Sequence, residues 1–244
     1  MYTQDYMWFM VAILVCIIFS GFASSKVKRT FLKHDKIQCR SGCTGYDTVS
    51  RLMFSNGVNG ISIGSVKGFL TDHYNPKKSI INLSESTYNN SSVAAVAVAA
   101  HEMGHVMQRQ EGYGFYKLRT SLVPVVNFGS LLAIPLVLVG LLLDWYSMSA
   151  NADIGFKVAL IGVILYGGSL VFALVTLPVE FNASKRASEM LSAAGILAED
   201  ELPAVKEVLS AAALTYLASF LTSLVYFLRF LIRVLALFGR RGRR

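Results

Sequence analysis

No lysine or arginine precedes the first apolar run of this 244-residue chain, Tyr6 to Phe22, and that absence excludes the charge order of a cleaved signal peptide. Lys26, Lys28, Arg29 and Lys33 follow the run instead, so it reads as an uncleaved anchor with its N-terminus outside. Charge is scarce throughout: charged residues make up 16% of the chain against 54% hydrophobic. With a mean hydropathy of +0.50, that balance excludes an ordinary soluble domain. The chain has no internal repeat and no low-complexity linker. Its three cysteines are too few for a cysteine-rich metal site. Cys16 falls inside the first apolar run, and Cys39 and Cys43 form a C-x-x-x-C pair without partner cysteines, best read as structural thiols kept reduced in a cytoplasmic loop.

The hydrophobic residues come in long stretches. After Tyr6 to Phe22, a second run extends from Leu122 to Leu143 and a third from Ile154 to Thr176. Each of these two is about twenty residues, long enough for a ~30 Å hydrocarbon core. A fourth, Ala211 to Phe238, is interrupted by Arg229 and Arg233, one helical turn apart and able to snorkel.

Charge bias orients the spans. Thirteen Lys and Arg residues lie from Lys26 to Arg119, between the first two runs, and none occurs from Asp144 to Asp153. The first loop is therefore expected in the cytoplasm, with Val179 to Lys206 returning to the same side. A full fourth span would carry the basic tail Arg240 to Arg244 outside. Either the helix bends at Arg229 and lies along the surface, or the earlier loops dominate and the tail violates the rule.

The expectation is a mainly α integral membrane protein with about four membrane segments and a cytoplasmic zincin-like α+β region. It divides into an anchor (1–25), a catalytic region (26–120), a transmembrane hairpin (121–177), a cytoplasmic helical segment completing the site (178–206), and a membrane helix with a basic tail (207–244). Within the catalytic region, Tyr46 to Asn56 reads as a short helix ended by Gly57 and Gly60. Ile61 to Ile63 and Ser79 to Leu83 read as strands around a turn, Thr71 to Pro76. The strand ahead of the next helix is the expected edge for pairing with a substrate backbone.

That next helix carries the chemistry. His101-Glu102-Met103-Gly104-His105 places two of only four histidines one turn apart on one helical face. This is the H-E-x-x-H pattern: two neutral imidazoles can share one Zn²⁺ ion, and the glutamate can take a proton from the attacking water. Ser91 and Ser92 are suitable N-caps, and the small-residue run Val93 to Ala100 suits a tightly packed helix. The bland alternative is a buried helix with two hydrogen-bonded histidines. A catalytic zinc usually takes a third protein ligand. Glu180, just beyond the third run and after Pro178 at the start of an expected helix, would return to the same membrane face; otherwise it is an ordinary first-turn carboxylate.

Asp72-His73-Tyr74, Ala99 to His105, Leu122 to Gly129 and Leu177-Pro178-Val179-Glu180-Phe181 together resemble the YugP-type neutral zinc metallopeptidases of prokaryotic membranes. The resemblance extends over nearly the whole chain, with a more distant likeness to HtpX-like membrane proteases, whose E-F-x-A-type glutamate completes a zinc site. It implies Glu180 as third ligand and proteolysis of protein or peptide substrates at the cytoplasmic membrane. The chain departs from the pattern at Asn182, where the family tends to have aspartate, and at Ser184, where distant relatives have aspartate. Both are candidates to hold a metal ligand in place from behind, with no negative charge to strengthen a ligand imidazole.

His73 has two readings, donor to the developing oxyanion or solvated turn histidine. His34 is expected to be exposed at the membrane interface, without a role. The +8 net charge flanks apolar segments, where a lipid bilayer accounts for it without nucleic acid. Two rival functions remain: a non-catalytic membrane scaffold stapled by a structural zinc, and a protease whose histidine motif lies inside the bilayer. The short lead-in from Val93 and the polar stretch Gln108 to Glu111 disfavour the second.

Overall fold

The computed structural model describes residues 2–146 and 152–239. In order they form α1 (Tyr2–His34), α2 (Gly45–Ser55), β1 (Ser62–Val66), β2 (His73–Asn75), β3 (Ile80–Ser84), α3 (Val93–Gln110), α4 (Gly114–Tyr146), α5 (Ala152–Ala193) and α6 (Leu202–Gly239). Among the described residues four helices, α1, α4, α5 and α6, are long and apolar enough to cross a membrane. The protein is a multi-pass membrane protein. The tail Arg240 to Arg244 and the centre of the connection between the second and third runs, 147–151, lie outside the described residues.

The chain falls into two compact units. One comprises 1–20, 118–176 and 217–244. Its small core is Val137, Ala159, Val163 and Val234, padded by Phe227 and Phe230. Glycine is required where α4 meets α5: a Cβ on Gly162 would stand 2.6 Å from the Ala133 carbonyl oxygen, and one on Gly140 2.5 Å from that of Gly155. Such close backbone approach replaces the hydrophobic drive that is absent between helices in lipid. Leu131 and Ile164 remain exposed, as lipid-facing side chains should. The helix α6 continues unbroken through Arg229, whose guanidinium lies over the Phe9 ring at 4.4 Å. A cation stacked on an aromatic face explains how the apolar pattern tolerates this charge without the helix ending there.

The other unit comprises 21–117 and 177–216. Its sheet has the order β1-β3-β2, with β1 parallel and β2 antiparallel to β3. Ile81 and Leu83 on β3 are completely buried, each contributing about 1.5–3 kcal/mol on removal from water. They pack with Leu52 of α2, Val96 and Met103 of α3, and Leu191 of α5. Cys39 and Cys43 are free thiols inside this core, as the structural reading expects.

Four expectations need correction. The segment Thr71 to Pro76 is not only a turn, because His73–Asn75 pairs with Ile80–Asn82 as β2; three residues are too few to show a period. The strand ahead of α3 is the middle of the sheet, with both edges occupied, so it offers no free edge to a substrate. His34 is buried, with Nε2 2.7 Å from the Glu207 carboxylate that also binds Lys33 at 2.8 Å. No helix begins after Pro178, which lies inside the 42-residue α5. A proline removes only its own N–H and crowds one carbonyl, and the buried contacts of the residues that follow, Val179 with Gln108 and Ala183 with Gly104, hold α5 continuous through it.

Candidate metal centre

The helix α3 starts at the N-cap Ser92, whose side chain accepts from the Ala95 N–H at 3.1 Å. Its first turns, Val93 to Ala97, are completely buried. Small side chains there let neighbouring elements close around the helix, so the motif that follows is held on all sides. At Gly104 a Cβ would stand 2.6 Å from the Ala183 carbonyl oxygen. The glycine of the motif is therefore what lets α3 and α5 touch backbone to backbone, and this contact brings Glu180 opposite the two histidines.

His101 Nε2 lies 3.2 Å and His105 Nε2 3.4 Å from Glu180 Oε2. One ligand atom from each of the three residues falls within a 4.8 Å cluster, and no other such group of His, Cys, Asp or Glu occurs among the described residues. The three side chains are 12%, 11% and 4% exposed, so the cluster is nearly closed to solvent. Burial pushes the His105 imidazole toward neutrality, but the Glu180 carboxylate, by hydrogen bond and by charge, and then Glu102 reverse this and leave its pKa raised. A buried carboxylate aimed at two imidazoles is a cation site: a proton satisfies it in the absence of metal, and a divalent ion satisfies all three donors together.

The other ring nitrogens test the fit to a metal. His101 Nδ1 is 3.2 Å from Ser184 Oγ, and His105 Nδ1 is 3.0 Å from Gln108 Oε1. Each imidazole can therefore donate from Nδ1 and present the Nε2 lone pair to the cluster, which is the tautomer a metal ligand needs. Two imidazoles and a carboxylate, with outer partners in place, fit zinc. Glu102 is buried beside these groups; burial pushes its carboxyl above the usual carboxylate range, with His105 and His101 opposing and Asp72 and Glu180 adding to the rise.

Ser184 thus meets His101 directly, whereas the hydrogen bonds of Asn182 go to Gln108 and Arg186. Asn182 Oδ1 accepts from Gln108 Nε2 at 3.0 Å and from Arg186 Nε at 2.8 Å. The sequence reading used Gln108 only as a polar marker at the end of the motif helix. It is completely buried, three residues after His105, and that spacing on a helix was the available signal. His73 is not one of the clustered ligands; it lies exposed on β2, with Nδ1 2.9 Å from the Thr71 carbonyl oxygen and Nε2 3.0 Å from Asn82 Nδ2.

Comparison with known proteins gives two matches. The model of a family described as "Putative neutral zinc metallopeptidase" matches residues 9–235. A protein of Bacillus subtilis (strain 168), described as "Putative membrane protease YugP", is 42% identical over 224 residues, covering 92% of this chain and 95% of that one. No solved structure matches.

Proposed function

This chain belongs to the family described as "Putative neutral zinc metallopeptidase", and from that premise we propose a membrane-embedded zinc endopeptidase in which His101, His105 and Glu180 hold the metal and Glu102 is the general base. The observation that carries this is the convergence of the three ligand atoms within 4.8 Å, two from α3 and one from α5. Zinc bound there would act as a Lewis acid, polarising the scissile carbonyl and acidifying water.

The remaining steps belong to the protein. Glu102 takes a proton from the water whose oxygen attacks the carbonyl carbon, then delivers that proton to the leaving nitrogen as the C–N bond breaks. Its raised pKa brings it closer to the operating pH, where one group serves as base and then as acid. Both His73 nitrogens are engaged by neighbours, so an oxyanion role for it would require exchanging one of those bonds. Ser184 and, through Gln108, Asn182 orient the ligands.

The substrate class is protein or peptide, and the site faces the cytoplasm of a prokaryotic cell membrane. The basic stretch from Lys26 to Arg119 and the connection after Leu143, which has no Lys or Arg, support that orientation. The motif helix is not among the four membrane-length helices, which favours cleavage outside the bilayer over cleavage within it. A scaffold with structural zinc would hydrolyse nothing.

One experiment addresses both activity and orientation. Casein added to sealed inside-out vesicles should be cut, with activity abolished by a chelator and restored by zinc, while right-side-out vesicles should leave it intact. Cleavage only by right-side-out vesicles would reverse the orientation, and no zinc-restored cleavage by either preparation or by detergent-solubilised protein would favour the scaffold.

A further inference from the structure

The hydrogen bonds behind His105 do not stop at its first partner. His105 Nδ1 meets Gln108 Oε1 at 3.0 Å; Gln108 Nε2 donates to the Val179 carbonyl at 2.7 Å and to Asn182 Oδ1 at 3.0 Å. Asn182 Oδ1 also receives Arg186 Nε at 2.8 Å, and Arg186 Nη1 is paired with Glu111 Oε2 at 2.7 Å. The chain thus runs from a buried ligand to an ion pair at the edge of the unit, with Gln108 completely buried in its centre.

Its two ends fix its polarity. A guanidinium can only donate, so the Asn182 atom facing Arg186 must be the oxygen. That oxygen and the Val179 carbonyl can only accept, so Gln108 must turn its NH₂ toward both of them. Its carbonyl oxygen is then left for His105 and can only accept, so His105 must carry its proton on Nδ1 and keep the Nε2 lone pair for the ligand cluster. Gln108 also ties the motif helix to the residue immediately before Glu180.

Resting on the ligand set proposed above, we propose that Gln108 is a positioning residue that locks His105 in its metal-binding tautomer and holds α3 in register with Glu180. Arg186 fixes the Asn182 amide with its oxygen toward Gln108, in agreement with the direction that the Val179 carbonyl imposes on Gln108. This assigns a use to the amide at position 182. In a relay that must pass polarity rather than charge, a neutral acceptor with two donors on it is sufficient. It also predicts that a carboxylate cannot replace Gln108, since an acceptor-only side chain there would face two other acceptors.

The test is zinc affinity of the full-length protein in detergent, measured by competition with a chelator, with folding followed by thermal unfolding. Gln108→Met removes both functions of the amide and should weaken zinc binding by about ten- to a hundredfold, the usual effect of losing a partner behind a ligand. Gln108→Glu should do so too, because it keeps the acceptor and loses the donor.

Arg186→Met, at the edge of the unit, should leave the fold intact and weaken binding by about three- to tenfold. Adding Asn182→Asp to it should restore affinity to within about twofold, because a carboxylate presents only acceptors to Gln108 and needs no guanidinium to orient it. A purely structural role for Arg186 predicts no such rescue. Unchanged affinity in Gln108→Met or Arg186→Met, or failure of the rescue, overturns the relay provided His101→Ala has lost zinc. If His101→Ala retains zinc, the ligand set itself fails and the relay falls with it.

Discussion

Glu102→Gln should lower peptide hydrolysis by at least about a hundredfold while leaving zinc content unchanged. The substitution keeps volume and a polar tip in a buried position, so α3 and its packing should persist. What it removes is the capacity to accept a proton. Without it the water must ionise unaided, and the leaving nitrogen must find its proton elsewhere. Metal retention follows because the ligand atoms belong to His101, His105 and Glu180. The variant should also hold peptides without cutting them and serve as a substrate trap. Joint loss of zinc and activity would make Glu102 a structural residue, and full activity with full zinc would remove the mechanism.

Glu180→Ala should have the opposite signature, losing the metal first. Its carboxylate lies 3.2 and 3.4 Å from the two imidazole nitrogens and supplies the only negative charge in the cluster of ligand atoms. Removing it leaves two neutral donors, an incomplete set for a catalytic zinc. The loss of affinity should exceed the roughly 10–100-fold typical of deleting a partner behind a ligand. Hydrolysis should fall in proportion to occupancy, and excess zinc should recover part of it. Dialysis followed by metal analysis decides the matter: unchanged stoichiometry and affinity would assign the third ligand elsewhere.

The parts of this site that were legible in the sequence are those written in local spacing. His101 and His105 are one helical turn apart, so their convergence needs nothing beyond a helix, and Ser92 and the small residues after it announce that helix. Glu180 is separated from His105 by two apolar runs. It could be reached through topology and through a family resemblance, but Pro178 misplaced it at the start of a helix rather than within α5. A proline costs a helix one hydrogen bond and a local clash, and here only long-range contacts, Val179 with Gln108 and Ala183 with Gly104, keep α5 continuous through it.

Gln108 was passed over and His34 misjudged for a shared reason. A polar side chain near a helix end reads as solvent-facing, and only the tertiary partner reveals otherwise: Val179 and Asn182 for Gln108, Glu207 for His34. The order β1-β3-β2 was likewise out of reach, because three residues of β2 carry no periodic signal and strand order depends on long-range pairing. By contrast the membrane helices were legible from length and composition alone, since lipid imposes both.

The ligand set is tested most directly by zinc X-ray absorption spectroscopy on the purified full-length protein. The spectrum should show only nitrogen and oxygen neighbours at about 2.0–2.2 Å, with the outer-shell scattering of two imidazoles that disappears on combining His101→Ala with His105→Ala. A sulfur neighbour at about 2.3 Å would assign the metal to Cys39 and Cys43 instead, and an imidazole signal that survives the double substitution would contradict the site altogether.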